Sequence, residues 1–139
     1  MNAPRTVLVV DDQPLILAIV ARVLRGAGYG VLQATDAAAA LRLFLEERDR
    51  IRLVLTDVQM PGMSGAELGR RIWATDPSLP VLYMSGFTPE PLDFLPASEQ
   101  ERRWIAKPFS GDELLARLTP FLPSNTPPSR REGPTIRAG

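Results

Sequence analysis

Five short apolar runs, rich in β-branched residues, alternate along this chain with segments of helical period. The runs are Thr6 to Val10, Val31-Leu32, Leu53 to Leu55, Pro80 to Met84 and Trp104 to Ala106. After the first, Leu15, Ile16, Ile19, Val20, Val23 and Leu24 recur at helical spacing and predict a helix with one buried face. Strand then helix, repeated, leaves few arrangements. The simplest is a parallel sheet covered by helices on both faces, with right-handed crossovers. At 139 residues the chain has the size of one such domain.

Local signals place the helix ends. Pro14 suits a first helical turn, where its missing N–H costs nothing, and Gly26 and Gly28 are stop signals. Asp36 is the predicted N-cap of a second helix, which the alanines and Leu41, Leu43, Phe44 and Leu45 favour. Ser64 and Glu67 form a predicted capping box for a third helix, through Leu68, Ile72 and Trp73 to about Asp76-Pro77. Between Phe87 and Arg103 the pattern is least regular. Thr88-Pro89 could start a helix and Pro96 should end it, so a short or distorted helix is expected. Ser110 and Glu113 form a second capping box, opening a last helix that Pro120 ends. The domain is therefore read as residues 1–122. Residues 123–139 are mostly Pro, Ser, Thr, Arg and Gly, with one lone Ile136, and have little to bury, so this tail is expected to be disordered and no output domain to follow.

Four of the five runs end in a chemical group. Asp11-Asp12 follows the first, Asp57 the third, Ser85-Gly86 the fourth and Lys107 the fifth. In a parallel sheet these ends share one edge, where α/β folds bind their ligands. If the strand order is 2-1-3-4-5, the flavodoxin-like three-layer α/β/α sandwich, the four strands stand side by side. Each residue alone has a plainer reading: Asp57 caps a turn, Asp12 caps the first helix, Ser85-Gly86 only turns the chain, Lys107 is a solvated charge. Together they suggest chemistry. Three carboxylates within about 4–6 Å disfavour joint ionisation and invite a cation.

Composition narrows that chemistry. There is no His and no Cys. Oxygen ligands alone select a hard ion, Mg²⁺ over zinc. Lys107 adds a point charge suited to a phosphoryl oxygen, and Ser85 adds a hydroxyl. Asp57 is then a carboxylate nucleophile able to form an aspartyl phosphate. Phosphoryl transfer asks mainly for positioning and charge stabilisation, so the missing histidine base is no obstacle. The chain cannot supply a phosphohistidine of its own. Sixteen basic and sixteen acidic residues cancel, which gives no overall attraction to nucleic acid or an anionic membrane. No signal peptide layout and no apolar stretch of membrane length is present, so a cytoplasmic location is expected.

The sequence resembles a two-component response regulator receiver domain over Arg5 to Leu122. The matching residues are Asp11-Asp12, Asp57 in a D-x-x-M-P-G-M-x-G pattern running to Gly65, Ser85-Gly86 and Lys107-Pro108-Phe109. The run from Met84 to Thr88 is most similar to receivers attached to hybrid sensor histidine kinases. The resemblance implies that Asp57 is the phosphoacceptor. Asp12, Asp57 and the backbone carbonyl of Gln59 would bind Mg²⁺, with Asp11 acting directly or through water. Ser85, beside Gly86, would be the switch hydroxyl, Lys107 would bind a phosphoryl oxygen, and the Lys107-Pro108 bond would be cis. Trp104 stands where the family has a switch aromatic, usually Tyr or Phe. The implied partner is a histidine kinase or histidine phosphotransfer protein, with a weak homodimer also allowed.

Two other functions compete. A phosphohydrolase of the haloacid-dehalogenase type wants a second Asp two residues after the nucleophile, and here that position is Gln59. A binding module that no longer takes phosphate would not need the full set of acids, hydroxyl and Lys.

Overall fold

The computed structural model describes residues 5–86 and 95–122. Five strands form one parallel sheet in the order β2-β1-β3-β4-β5. They are β1 (Thr6–Val10), β2 (Gly30–Ala34), β3 (Ile51–Asp57), β4 (Val81–Ser85) and β5 (Trp104–Ala106). Between them run α1 (Pro14–Gly26), α2 (Ala37–Glu46), α3 (Gly65–Thr75) and α4 (Ala97–Arg102); α5 (Gly111–Leu118) and a 3-10 turn (Thr119–Phe121) follow β5. This is the flavodoxin-like three-layer sandwich that the alternation predicts.

Side-chain alternation along each strand feeds two cores. Leu8, Val10 and Val54 point to the layer of α2 and α3, where they meet Ala40, Phe44, Leu68 and Ile72. Val7, Val9, Leu53 and Leu55 point the other way and meet Leu17, Val20 and Leu24 of α1 and Leu114 and Leu118 of α5. Strands covered on both faces have no polar side to show, which is why the central runs read as continuously apolar.

Several local expectations hold. Asp36 caps α2, accepting from the Ala39 N–H at 2.7 Å. Ser110 and Glu113 form a complete capping box at α5. One needs correction. Ser64 accepts from the Glu67 N–H at 3.1 Å, but the Glu67 carboxylate pairs with Arg71 at 3.0 Å and Arg70 at 3.5 Å rather than reaching back. Pro96 is the N-cap of α4, where its missing N–H is no loss; the segment in which it is expected to end a helix lies outside the described residues. The expected start at Thr88-Pro89 lies outside the described residues, as does the tail from 123. The helix opened at Ser110 does stop ahead of Pro120: α5 ends at Leu118, and Pro120 sits in the 3-10 turn that follows.

α1 departs most from its pattern. Leu17, Val20, Ala21 and Leu24 make its buried face, while Leu15 is 70% and Ile19 49% exposed. The helix is apolar on nearly every side, so spacing alone did not choose which stripe faces the sheet.

Two glycines of α3 let it approach the sheet closely. A Cβ at Gly65 would lie 2.0 Å from the Asp57 carbonyl oxygen, and one at Gly69 would lie 1.8 Å from the Tyr83 hydroxyl. The D-x-x-M-P-G-M-x-G run therefore ends in a Gly for a packing reason: the first turn of α3 rests on the backbone that carries Asp57. Gly62, at φ +80°, makes the turn between them.

Candidate functional site

The C-terminal ends of β1, β3, β4 and β5 open into a cleft of about 260 Å³. Asp12, Asp57, Ser85, Gly86 and Lys107 line it, joined by Gln13, Ile16 and Gln59. Gln13 and Ile16 had not been singled out as rim residues; Ile16 follows the helical core pattern and gives no separate signal.

The acids gather as expected. One carboxylate oxygen from each of Asp11, Asp12 and Asp57 lies within 4.8 Å of the others. Asp11 is fully buried, Asp57 is 7% exposed and Asp12 is open to solvent. Their partners differ. Asp11 accepts from the Gln13 N–H at 2.9 Å through one oxygen and from Lys107 Nζ at 3.1 Å through the other. Lys107 Nζ also lies 3.3 Å from Asp57 Oδ1. The helix-capping reading of Asp12 fails: the N-cap of α1 is Gln13, without a side-chain bond.

Burial pushes the Asp57 carboxyl above its ordinary range. The Asp11 charge adds to this, while Lys107 and a hydrogen bond from the Gln59 backbone oppose it. Lys107 is the only lysine of the chain; every other basic side chain is an arginine. An ammonium on a flexible stem can bridge two carboxylates from one position, which a planar guanidinium does less readily. Its backbone N–H is bound to the Ser85 carbonyl at 2.8 Å, which ties the β5 end to the β4 end. The Lys107-Pro108 bond is cis. The Ser85 side chain is buried. Among the described residues, a Cβ on Gly86 would meet only the Lys107 Cβ, at an ordinary contact distance of 3.8 Å. Trp104 is 8% exposed and packs into the core beside Tyr83, its register partner on β4.

The donor set suits a hard divalent ion. It is all oxygen, it carries excess negative charge, and one of its carboxylates faces solvent.

The family model for the response regulator receiver domain matches residues 7–119. The chain belongs to this family. Receivers of two-component systems are signalling phosphoacceptors that bind Mg²⁺ at an acidic pocket, and they interact with histidine kinases or phosphotransfer proteins. Among relatives, this receiver is 33% identical to the probable transcriptional regulatory protein TcrX of Mycobacterium tuberculosis, over 86% of this chain and 50% of that one. It is also 33% identical to sporulation initiation phosphotransferase F of Bacillus subtilis, over 84% of this chain and 93% of that one. The chain thus spans about half the length of the first curated relatives it matches and nearly all of the phosphotransferase. Among solved structures it resembles the response regulator TrrA of Thermotoga maritima in complex with Mg²⁺ and beryllium fluoride. The TM-score is 0.74 at 27% identity, covering 85% of this chain and 99% of that one. Among the described residues, no helix is long and apolar enough to cross a membrane.

Proposed function

We propose that this receiver accepts a phosphoryl group on Asp57 from a phosphohistidine of a partner kinase or phosphotransfer protein. Asp57 Oδ would attack phosphorus in line, the P–N bond to the partner's imidazole would break, and its electron pair would return to the ring nitrogen. Asp12 and Asp57 would hold Mg²⁺ with the Gln59 carbonyl. Asp11, already engaged with Gln13 and Lys107, would act through water. When bound, the ion would neutralise the acids and the transferred oxygens. Lys107 would exchange its carboxylate contacts for a phosphoryl oxygen, and Ser85, beside Gly86, would offer its hydroxyl to another. Trp104 would take part in the switch from its buried place next to Tyr83.

The observation that carries this reading is the ammonium of Lys107 held between Asp11 and Asp57, with a third carboxylate within 4.8 Å. A phosphohydrolase lacks its general acid at Gln59, and a phosphate-independent binding module would have no need to confine these charges together. Incubation with a labelled phosphodonor and Mg²⁺ tests the proposal. Wild type should take label and Asp57→Asn should not; equal labelling of both would rule the reading out.

A further inference from the structure

α4 is held differently from its neighbours. α1, α2, α3 and α5 each bury two or more residues, whereas no residue of α4 is buried. At its C-terminal end, however, two guanidiniums converge on one ring. Arg102 lies 4.6 Å and Arg103 5.6 Å from the centroid of Phe121. Glu99 gathers both, at 2.7 Å to Arg102 and 3.1 Å to Arg103. Phe121 belongs to the 3-10 turn after α5 and packs on the α1–α5 core, the layer opposite to that of Leu95 and Trp104. The contact therefore bridges the two helical layers around the free edge of β5. Arg117 of α5 crosses the same edge to donate to the Trp104 carbonyl.

We propose that Arg102 and Arg103 on Phe121 form a latch that keeps α4 in its resting place, and that rearrangement of Lys107 releases it; the release rests on the proposed function above. The covalent path is short. Arg103 directly precedes β5, and Lys107 directly follows it. Both ends of β5 are bonded to β4, through the Tyr83 N–H to the Arg103 carbonyl at 2.7 Å and the Lys107 N–H to the Ser85 carbonyl at 2.8 Å. A shift of Lys107 toward a new phosphoryl group pulls on a strand of three residues whose other end carries the latch. Two partly exposed cation–π contacts bias a population by roughly five- to thirtyfold, which one phosphoryl group can reverse. Since coupling is reciprocal, whatever displaces the C-terminal turn also loosens α4.

Amide hydrogen exchange of the α4 segment in the full chain tests this. Phe121→Leu keeps an apolar side chain but removes the ring face, and Phe121→Tyr keeps the face. Without any phosphoryl mimic, Phe121→Leu should speed exchange at Gln100 and Arg103 about three- to tenfold, while Phe121→Tyr should match wild type. Equal exchange in all three proteins overturns the latch. Adding Mg²⁺ and beryllium fluoride, a stand-in for the phosphoryl group, should speed α4 exchange in wild type and add little in Phe121→Leu. A full increment in Phe121→Leu overturns the coupling to Lys107. If the mimic changes exchange nowhere, including the segments holding Asp57 and Lys107, the proposed function fails, while the comparison of the two Phe121 variants still judges the latch.

Discussion

Lys107 and Asp11 stand 96 positions apart in the chain, yet their Nζ and Oδ2 atoms lie 3.1 Å apart. The parallel sheet makes this distance possible, because the C-terminal ends of β1 and β5 share one edge with those of β3 and β4 between them. The same ammonium reaches Asp57 at 3.3 Å. The resting site is thus a cluster of acids compensated by one cation, and most of its testable behaviour follows from that imbalance.

The first consequence concerns Mg²⁺. An ion that binds only the folded state stabilises it by mass action, about 2.7 kcal/mol at a hundredfold excess over its Kd. Thermal melts of wild type should shift upward by several degrees with Mg²⁺. Asp12→Ala removes the solvent-facing carboxylate and should abolish most of that shift while leaving the metal-free melt nearly unchanged. An Asp12→Ala variant that responds to Mg²⁺ as wild type does would count against Asp12 as a ligand.

The second concerns pH without metal. Burial and Asp11 hold the Asp57 carboxyl above its usual value of 3.8. The folded state then keeps this proton more tightly than the unfolded one. As pH rises from the unfolded value through the higher folded value, stability falls, and the penalty is complete above that window. Asp57→Asn has no proton to lose there. In chelator near neutral pH it should melt at a higher temperature than wild type, with the gap closing as pH falls through the window. A gap that widens toward acid would reverse the sign of the argument.

The third concerns α3. Gly65→Ala places a methyl group 2.0 Å from the Asp57 carbonyl, a backbone atom that cannot simply rotate away. Overpacking of this kind costs about 1–3 kcal/mol. Denaturant melts should show that loss together with weaker Mg²⁺ binding, because the displaced backbone carries Asp57. At Gly69 the obstacle is a side chain, so Gly69→Ala should be substantially rescued by Tyr83→Leu.

How much of this was legible in the residues depends on which force decides each feature. Strands covered on both faces declare themselves through unbroken apolar runs, and β1 and β5 match their expected bounds. Caps at Asp36 and Ser110 are local, so local spacing suffices. The gathering of Asp12, Asp57, Ser85 and Lys107 in one cleft follows once strand order is known, because each terminates a strand. α1 was misread because it offers more apolar residues than it can bury, and only the tertiary fit selects Leu17 and Ala21 over Leu15 and Ile19. Pro96 caps α4, a role its spacing did not announce, because a proline ring is compatible with the position before a helix as well as the one after. The bridging role of Lys107 and the Arg102–Phe121 contact were invisible, since both depend on side chains meeting across the sheet edge.

A fourth prediction separates the two serine caps. Ser110→Ala breaks a complete capping box and should cost about 1 kcal/mol or more. Ser64→Ala loses a single bond, with Glu67 still paired to Arg71, and should cost less. Chemical denaturation of the two variants side by side reads the difference.

The central claim, that the converging charges serve the Asp57 carboxylate, is tested most directly by trapping the acyl phosphate. The protein would be treated with a phosphodonor and Mg²⁺, reduced with borohydride and mapped by mass spectrometry. Reduction of an aspartyl phosphate leaves homoserine, and the account predicts it at position 57. Homoserine at another aspartate, or none at position 57 in a protein that has taken up phosphate, would contradict it.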